Sequence, residues 1–196
     1  MSEAVNKDHN DLLKKIMNHI DIIDYWYSDR IRKHWFSSTP DLDIEIRNRY
    51  EKIWENASDG KLDVWQSTPE GCLALIIILD QFPLNMFRGD AKSFQTEYKA
   101  IEVAKTAINK DFAEKLNKDK LSFLFMPLMH SENIEDQDFA VSLFEKYSLV
   151  DNLDFAQHHR SIVKQYGRFP HRNKILGRTN TNAENEYLMS KNSFKG

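Results

Sequence analysis

The residues best suited to chemistry lie in the stretch YGRFPHRNKILGR, which holds three arginines, one lysine and one histidine but no acid. Gly167 ends one predicted helix and Pro170 begins the next, so Arg168 and Phe169 form a tight corner between them. Free backbone N–H groups of the new helix would lie beside His171 and Arg172. Because arginine binds carboxylate or phosphate bidentately and histidine titrates near neutral pH, the corner favours a small anionic ligand.

A second explanation of the same charges is an RNA site. Between Asp154 and Glu184 there are 29 residues with six lysines and arginines and no acid, whereas the whole chain carries −3. Tyr166 and Phe169 alternate with the basic residues and could stack on bases. However, the sequence has no signature of an RNA-binding module, and its overall acidity disfavours nucleic acid as a partner.

A third explanation is structural. The basic side chains could pair with acids elsewhere in the chain and hold helices together without any ligand. The acids proposed for this role are Asp80, Glu132, Glu135 and Asp136. The sequence leaves the anion site and the internal ion-pair network as competing hypotheses.

The stretch MPLMHSENIEDQD places His130, Ser131 and Glu132 at a break between two predicted helices. A His–carboxylate pair there could transfer a proton. Nucleophilic catalysis by Ser131 is disfavoured, since adjacent side chains seldom face one another and no Gly-x-Ser-x-Gly motif is present. Metal binding by His130, Glu132, His159 and His171 is disfavoured too, because no spacing puts two of them on one helix face. No cofactor is indicated.

Another candidate stretch is LDQFPLNMFRG, where Asp80 and Gln81 interrupt an apolar helix. Buried polar groups need partners, so we expect Asp80 to meet an arginine. The four tryptophans and the one cysteine, Cys72, are interpreted as core residues.

The elements that must position these side chains are helices. Apolar residues recur at steps of three and four almost throughout, beginning at Leu12, and no long alternating run is present. A cap at Ser67 or Thr68, followed by Pro69, predicts the start of a buried helix. We expect it to end near Phe82, because Pro83 disfavours helical geometry in the residue before it. We also predict a short helix from Pro170 to Gly177. The sequence predicts an all-α fold of about ten helices in a single domain over residues 1–196.

The chain has no N-terminal apolar region typical of a signal peptide. Its longest apolar run is far shorter than the roughly 20 residues of a membrane span. We therefore expect a cytoplasmic protein with no membrane partner.

The chain resembles the DUF924 family of uncharacterised bacterial-type proteins. The resemblance rests on motifs that occur in the expected order over nearly the whole chain: DYWY, GKLDVWQSTPEGCLALIIILDQFP, NMFRGDAKSFQTE, FLFMPLMHSENIEDQ and HHRSIVKQYGRFPHRNKILGRTNT. It implies antiparallel helical hairpins similar to tetratricopeptide repeats, and it implies no specific activity. Leu84 and Gln165 depart from the family, which commonly has arginine at both positions, and this would weaken anion binding.

Two functions are in competition. In the first, a small phosphate or carboxylate binds in a cleft whose side chains could transfer a proton. The catalytic candidates are His130, Glu132 and His171. The ligand-binding candidates are Asp80, Gln81, Arg88, His159, Arg168, Arg172, Asn173 and Arg178. In the second, the protein is a helical scaffold that binds a protein or peptide, as helical-hairpin folds often do.

Overall fold

The computed structural model describes residues 18–191 and 193–194, and these contain helices and turns without β-strands. The prediction of an all-α fold of about ten helices is confirmed. The residues before Asn18, including the predicted helix start at Leu12, lie outside the described part. The α-helices are α1 His19–Trp26, α2 Asp29–Arg32, α3 Pro40–Ser58, α4 Pro69–Ile76, α5 Phe82–Met86, α6 Glu97–Asn109, α7 Lys118–His130, α8 Ile134–Lys146, α9 Val150–Tyr166 and α10 Asn182–Met189.

Helix boundaries follow the capping signals in the sequence. The Thr68 hydroxyl accepts a hydrogen bond from the Gly71 N–H at the start of α4, and Asn133 accepts two backbone N–H groups at the start of α8. Gly167 ends α9 with a φ of +71°, a left-handed conformation that glycine adopts without a steric penalty. Local chemistry therefore fixes where these helices begin and end.

The prediction that the buried helix ends near Phe82 is wrong. After α4 the chain continues through a π-helical segment, Ile77–Gln81, directly into α5, and Phe82 keeps helical dihedral angles although Pro83 follows. A π-helical turn adds a residue to the hydrogen-bonding pattern, which lets the helix accommodate a residue without an N–H. As a result, Asp80 and Gln81 lie within a buried helical rod and not at its exposed end.

Most of the apolar side chains form one large core between α1, α3, α4, α6 and α7, which we call the main core. Phe82 lies within it and packs on Trp26 and Tyr50. Cys72 is also fully buried there. Of the four tryptophans, Trp26 and Trp54 are buried, and Trp35 and Trp65 are half-buried against the core.

The helices α7, α8 and α9 pack consecutively through short connections, as antiparallel hairpins do. Beyond α9 a second, smaller apolar group contains Ile162, Val163 and Phe169. The helix predicted from Pro170 to Gly177 is wrong in extent, because only Pro170–Arg172 forms a 3₁₀ turn and irregular turns follow. The side chain of Arg172 is drawn into contacts with other elements, and these contacts outweigh local helix propensity.

No helix in the described ranges is long and apolar enough to cross a membrane.

Candidate functional site

The π-helical segment and the end of α7 bring Asp80 and His130 together. The Nδ1 atom of His130 lies 2.9 and 3.0 Å from the two carboxylate oxygens of Asp80. Gln81 donates to the same carboxylate and so fixes it from the other side. Asp80 was expected to meet an arginine, and that expectation is wrong: its partner is a histidine, oriented as in the His–carboxylate pairs of acid–base catalysts.

Arg172 lies beside this pair and is only 6% exposed. It donates to the Glu97 carboxylate at 2.8 Å and to the His130 carbonyl oxygen at 3.0 Å. Its guanidinium also contacts the rings of Phe94 and Phe169. The Arg172 Nε atom is buried and has no hydrogen-bond partner among the described residues.

Glu132 and Arg178 form the next part of the site. Their bidentate ion pair has N–O distances of 2.6 and 2.9 Å. Glu132 also accepts the backbone N–H of Phe169, and Arg178 donates to the carbonyl oxygen of the same residue. The pair therefore holds the corner after α9 against the end of α7. We call Asp80, Glu97, His130, Glu132, Arg172 and Arg178 the polar cluster.

Electrostatics set different protonation tendencies within the polar cluster. Burial raises the pKa of Glu97 to about 7, against the opposing effect of Arg172. Burial disfavours the charged imidazole, but the facing Asp80 outweighs it and raises the pKa of His130. Burial of Glu132 is likewise outweighed, and hydrogen bonds from Arg178 and the Phe169 N–H lower the pKa of that carboxyl. Glu97 can thus exchange a proton near neutral pH, while Asp80 favours the protonated form of His130 and Glu132 stays ionised.

His159 and His171 also contact Phe169, with ring centroids 5.5 and 5.6 Å from its own. Burial lowers the pKa of His159 to about 4, and burial together with Arg172 lowers the pKa of His171 to about 3. Both imidazoles are neutral at physiological pH. His171 therefore adds no positive charge here.

Two of the predicted ligand-binding arginines lie in other networks. Arg88 is exposed and pairs with Asp43, while Arg168 pairs with Glu184 and the Thr179 carbonyl oxygen. Asn173 is 1% exposed and donates to Asn180. The structure therefore does not bring Arg168, His171 and Arg172 together around one point. Arg168 contacts Glu184, Arg172 contacts Glu97, and the His171 ring contacts Phe169.

The acids that pair with the basic segment differ from those expected. Glu132 is a partner, but Glu135 is part of the start of α8, and Asp136 binds Ser131 and Lys105. The sequence reasoning missed Glu97 and Glu184, the partners of Arg172 and Arg168. Glu184 carries a local signal, since it lies three residues after the cap Thr181 in a capping box. Glu97 carries none, because it resembles any acid in the first turn of a helix.

Among residues 18–191 and 193–194, no group of three or more histidines, cysteines and acids is arranged to hold a metal ion. His158 and His159, adjacent in sequence, have rings 6.3 Å apart at an angle of 88°.

The comparisons with known proteins agree with the motifs. The profile of a family described as "Bacterial protein of unknown function (DUF924)" matches residues 22–192. The chain belongs to the DUF924 family. The solved structure of a protein of unknown function, ATU0120 from Agrobacterium tumefaciens, is similar to this chain, with a TM-score of 0.83 and 35% sequence identity. The match covers 87% of this chain and 96% of that one. No curated protein matches the chain.

Proposed function

We propose that this DUF924 protein binds a small molecule bearing a carboxylate or phosphate at the polar cluster and exchanges protons with it. The observation that carries the proposal is the ion pair between buried Arg172 and Glu97, whose carboxyl has a pKa of about 7 and is influenced by the charges of the Asp80–His130 pair. Buried groups with perturbed pKa values and specific charge partners concentrate at functional sites.

The arginines of the cluster are already paired with glutamates. Arg172 pairs with Glu97, the acid in the cluster whose pKa lies near neutrality. When Glu97 takes up a proton, Arg172 loses its counter-charge, and an incoming anion replaces it at no net change of buried charge. Anion binding is therefore coupled to proton uptake and strengthens as the pH falls through about 7.

One edge of the polar cluster is exposed to solvent and would admit a ligand. The side chains of His130, Glu97, Arg178 and Glu132 are between 16% and 25% exposed, whereas that of Arg172 is 7% exposed. A ligand can thus reach His130 and Glu97 from solvent while its anionic group approaches Arg172. Because Nδ1 of His130 faces Asp80, its Nε2 is the atom available for general acid–base transfer.

A thermal-shift screen with inorganic phosphate, acetate, sugar phosphates and dicarboxylates at pH 6 and pH 8 tests the proposal. A ligand at 100 times its Kd stabilises the folded state by roughly 2.7 kcal/mol, which such an assay detects. We expect larger shifts at pH 6. Glu97→Gln, which mimics the protonated acid, should make the shifts equal at the two pH values, and Arg172→Met should remove them.

Arg160→Ala is the matched control, since Arg160 lies in the same basic segment but pairs with Asp138 on the surface. It should respond as the wild type does. Shifts of equal size in Arg172→Met and wild type, or none in the wild type at either pH, would exclude an anion site at the cluster.

The scaffold hypothesis stays a prediction. Several exposed apolar side chains, such as Phe36, Val64, Tyr98 and Met189, lie on separate elements, and scattered exposure of this kind is ordinary for a protein surface.

A further inference from the structure

The charges of the polar cluster limit the charge of the anion that it can hold. When Glu97 is protonated, the cluster keeps two ionised acids, Asp80 and Glu132, and two arginines, which balance one another. The facing Asp80 favours the protonated form of His130, and this imidazole adds one positive charge. With Glu97 protonated, the cluster therefore carries a single net positive formal charge.

A monoanion neutralises this charge, whereas a dianion leaves a negative charge without a partner among buried side chains. An unpaired charge in such surroundings is costly. A carboxylate is a monoanion near neutral pH. A phosphate monoester, with a second pKa of about 6, is mostly a dianion at pH 7. The charge balance of the cluster therefore favours a carboxylate.

The surroundings of Arg172 leave little room for an anion whose oxygens do not lie in one plane. The guanidinium carbon is 4.6 Å from the ring centroid of Phe94 and 4.7 Å from that of Phe169. Both groups that accept its hydrogen bonds, the Glu97 carboxylate and the His130 carbonyl, are planar. A carboxylate presents two oxygens in one plane, whereas a phosphate presents three in a tetrahedral arrangement. The shape of the site therefore favours the same anion as its charge.

Glu97 offers a hydrogen bond that a carboxylate can accept. Its Oε2 accepts from Nη1 of Arg172 at 2.8 Å, and its Oε1 has no hydrogen bond among the described residues. The Glu97 side chain is 18% exposed, so this oxygen belongs to the edge that solvent reaches. A proton on Oε1 makes it a donor while Oε2 keeps its contact with Arg172. Hydrogen bonds to an ionised acceptor are stronger than those between neutral groups.

We propose that the ligand of the polar cluster is a monocarboxylate, which accepts one hydrogen bond from protonated Glu97 and one from Arg172. This inference rests on the proposed function and narrows its anion to one chemical class. The rest of the ligand extends toward the solvent edge, where Nε2 of His130 is available. No proton is transferred to the carboxylate itself, because its pKa lies below that of Glu97.

Pairs of ligands that share an organic group test the class of the anion: butyrate with butyl phosphate, and benzoate with phenyl phosphate. The Kd of each is measured with the wild type by isothermal titration calorimetry at pH 7 and constant ionic strength. Each carboxylate should bind at least about tenfold more tightly than its phosphate counterpart, because the second charge of the phosphate is unpaired. Equal Kd values within a pair, or a tighter phosphate, would overturn the inference.

Butanesulfonate separates the effect of shape from that of charge, since it is a tetrahedral monoanion. It should bind more weakly than butyrate, because the rings of Phe94 and Phe169 crowd the guanidinium. A Kd as low as that of butyrate would overturn the assignment of the ligand as a carboxylate.

Two variants of Glu97 test its role as a donor. Glu97→Gln and Glu97→Met are uncharged and similar in size, but only the amide donates a hydrogen bond. At pH 6, butyrate should bind Glu97→Gln about as tightly as the wild type and Glu97→Met about tenfold more weakly. Circular dichroism checks that both variants are folded. Equal Kd values for the two variants would contradict the hydrogen bond from Glu97, and the comparison of ligands on the wild type needs neither variant.

The two proposals can fail separately. If the phosphates bind as tightly as the carboxylates and Arg172→Met abolishes their binding, the anion site stands and the monocarboxylate does not. If no ligand of the series binds at pH 6 or pH 8, or if all bind Arg172→Met as they bind the wild type, both proposals fail. Arg160→Ala, the surface control, should keep the wild-type preference for carboxylates.

Discussion

Phe82 and Phe169 are both completely buried, yet their surroundings differ. The ring of Phe82 is surrounded by other rings, with Tyr50 at 4.5 Å and Trp26 at 5.7 Å between centroids. The ring of Phe169 is surrounded by two imidazoles and the guanidinium of Arg172, at 5.5, 5.6 and 4.7 Å. The first site gains stability from apolar burial, and the second uses an apolar ring as a platform for polar groups.

This difference indicates which part of the molecule supports the fold and which part is available for chemistry. A buried polar group is retained at a cost unless it is paired, and unpaired groups occur among the described residues in both places. Around Phe169 they are nitrogens of the ionisable side chains His171 and Arg172, whereas beside Phe82 they are the polar atoms of the aromatic side chains Trp26 and Tyr50. Around Phe82 most neighbouring groups are apolar.

The largest effect is expected from Phe82→Ala, which should lower the free energy of unfolding by about 3–5 kcal/mol, because a rigid aromatic core cannot collapse around the cavity. Phe169→Ala should cost less, about 1–3 kcal/mol, since its polar neighbours allow water to enter the space. Urea unfolding followed by circular dichroism measures both. Equal losses would mean that the two surroundings do not differ energetically.

Arg172→Met should lower the free energy of unfolding by about 1–3 kcal/mol, because it leaves the Glu97 carboxylate without its partner. The loss stays moderate since Glu97, with a pKa already near 7, takes up a proton. Arg172→Met combined with Glu97→Gln should recover part of the loss, as apolar replacement of a buried pair often does. A double variant no more stable than Arg172→Met would contradict this account.

The pH dependence of stability should show opposite signs for Glu97 and Glu184. The pKa of Glu97 is raised from 4.5 to about 7 in the folded state. The stabilisation that protonated Glu97 contributes to the free energy of unfolding is therefore complete below pH 4.5 and is lost as the pH rises through 7. Hydrogen bonds from Arg168 lower the pKa of Glu184 to about 2, so its contribution is present above pH 4.5 and is lost as the pH falls toward 2.

Urea unfolding between pH 3 and pH 8 measures these slopes. Glu97→Gln should remove the decline between pH 4.5 and 7, and Glu184→Gln should remove part of the decline on acidification. The assignment would be wrong if Glu97→Gln left the neutral slope of the wild type unchanged.

The smallest effect is expected from Arg160→Ala, which removes a surface ion pair with Asp138. Exposed pairs contribute little, so the free energy of unfolding should change by no more than about 1 kcal/mol, and less at high salt. A larger loss, in the range expected for Arg172→Met, would show that position in the basic segment, and not burial, determines the effect.

Much of the fold could be predicted from the sequence because its signals are local. Helix-capping residues such as Thr68 and Asn133, and the left-handed Gly167, act within one turn of the chain. The errors occurred where distant contacts outweigh local rules. Pro83 is accommodated by a π-helical turn in a fully packed helix, and the segment from Pro170 to Gly177 loses its helix to the contacts of Arg172.

For the candidate site, residue types were predictable but partners were not. The sequence by itself determined an all-α chain, its main helix boundaries, its family and the concentration of cations after α9. Only the tertiary structure decided that Asp80 pairs with His130, that Arg172 pairs with Glu97 and Arg168 with Glu184, and that Phe194 packs on His159. The physical reason is the sequence separation over which each interaction acts. Helix capping and apolar periodicity depend on residues close in sequence, whereas the partner of a buried charge depends on which residues helix packing brings within hydrogen-bonding distance.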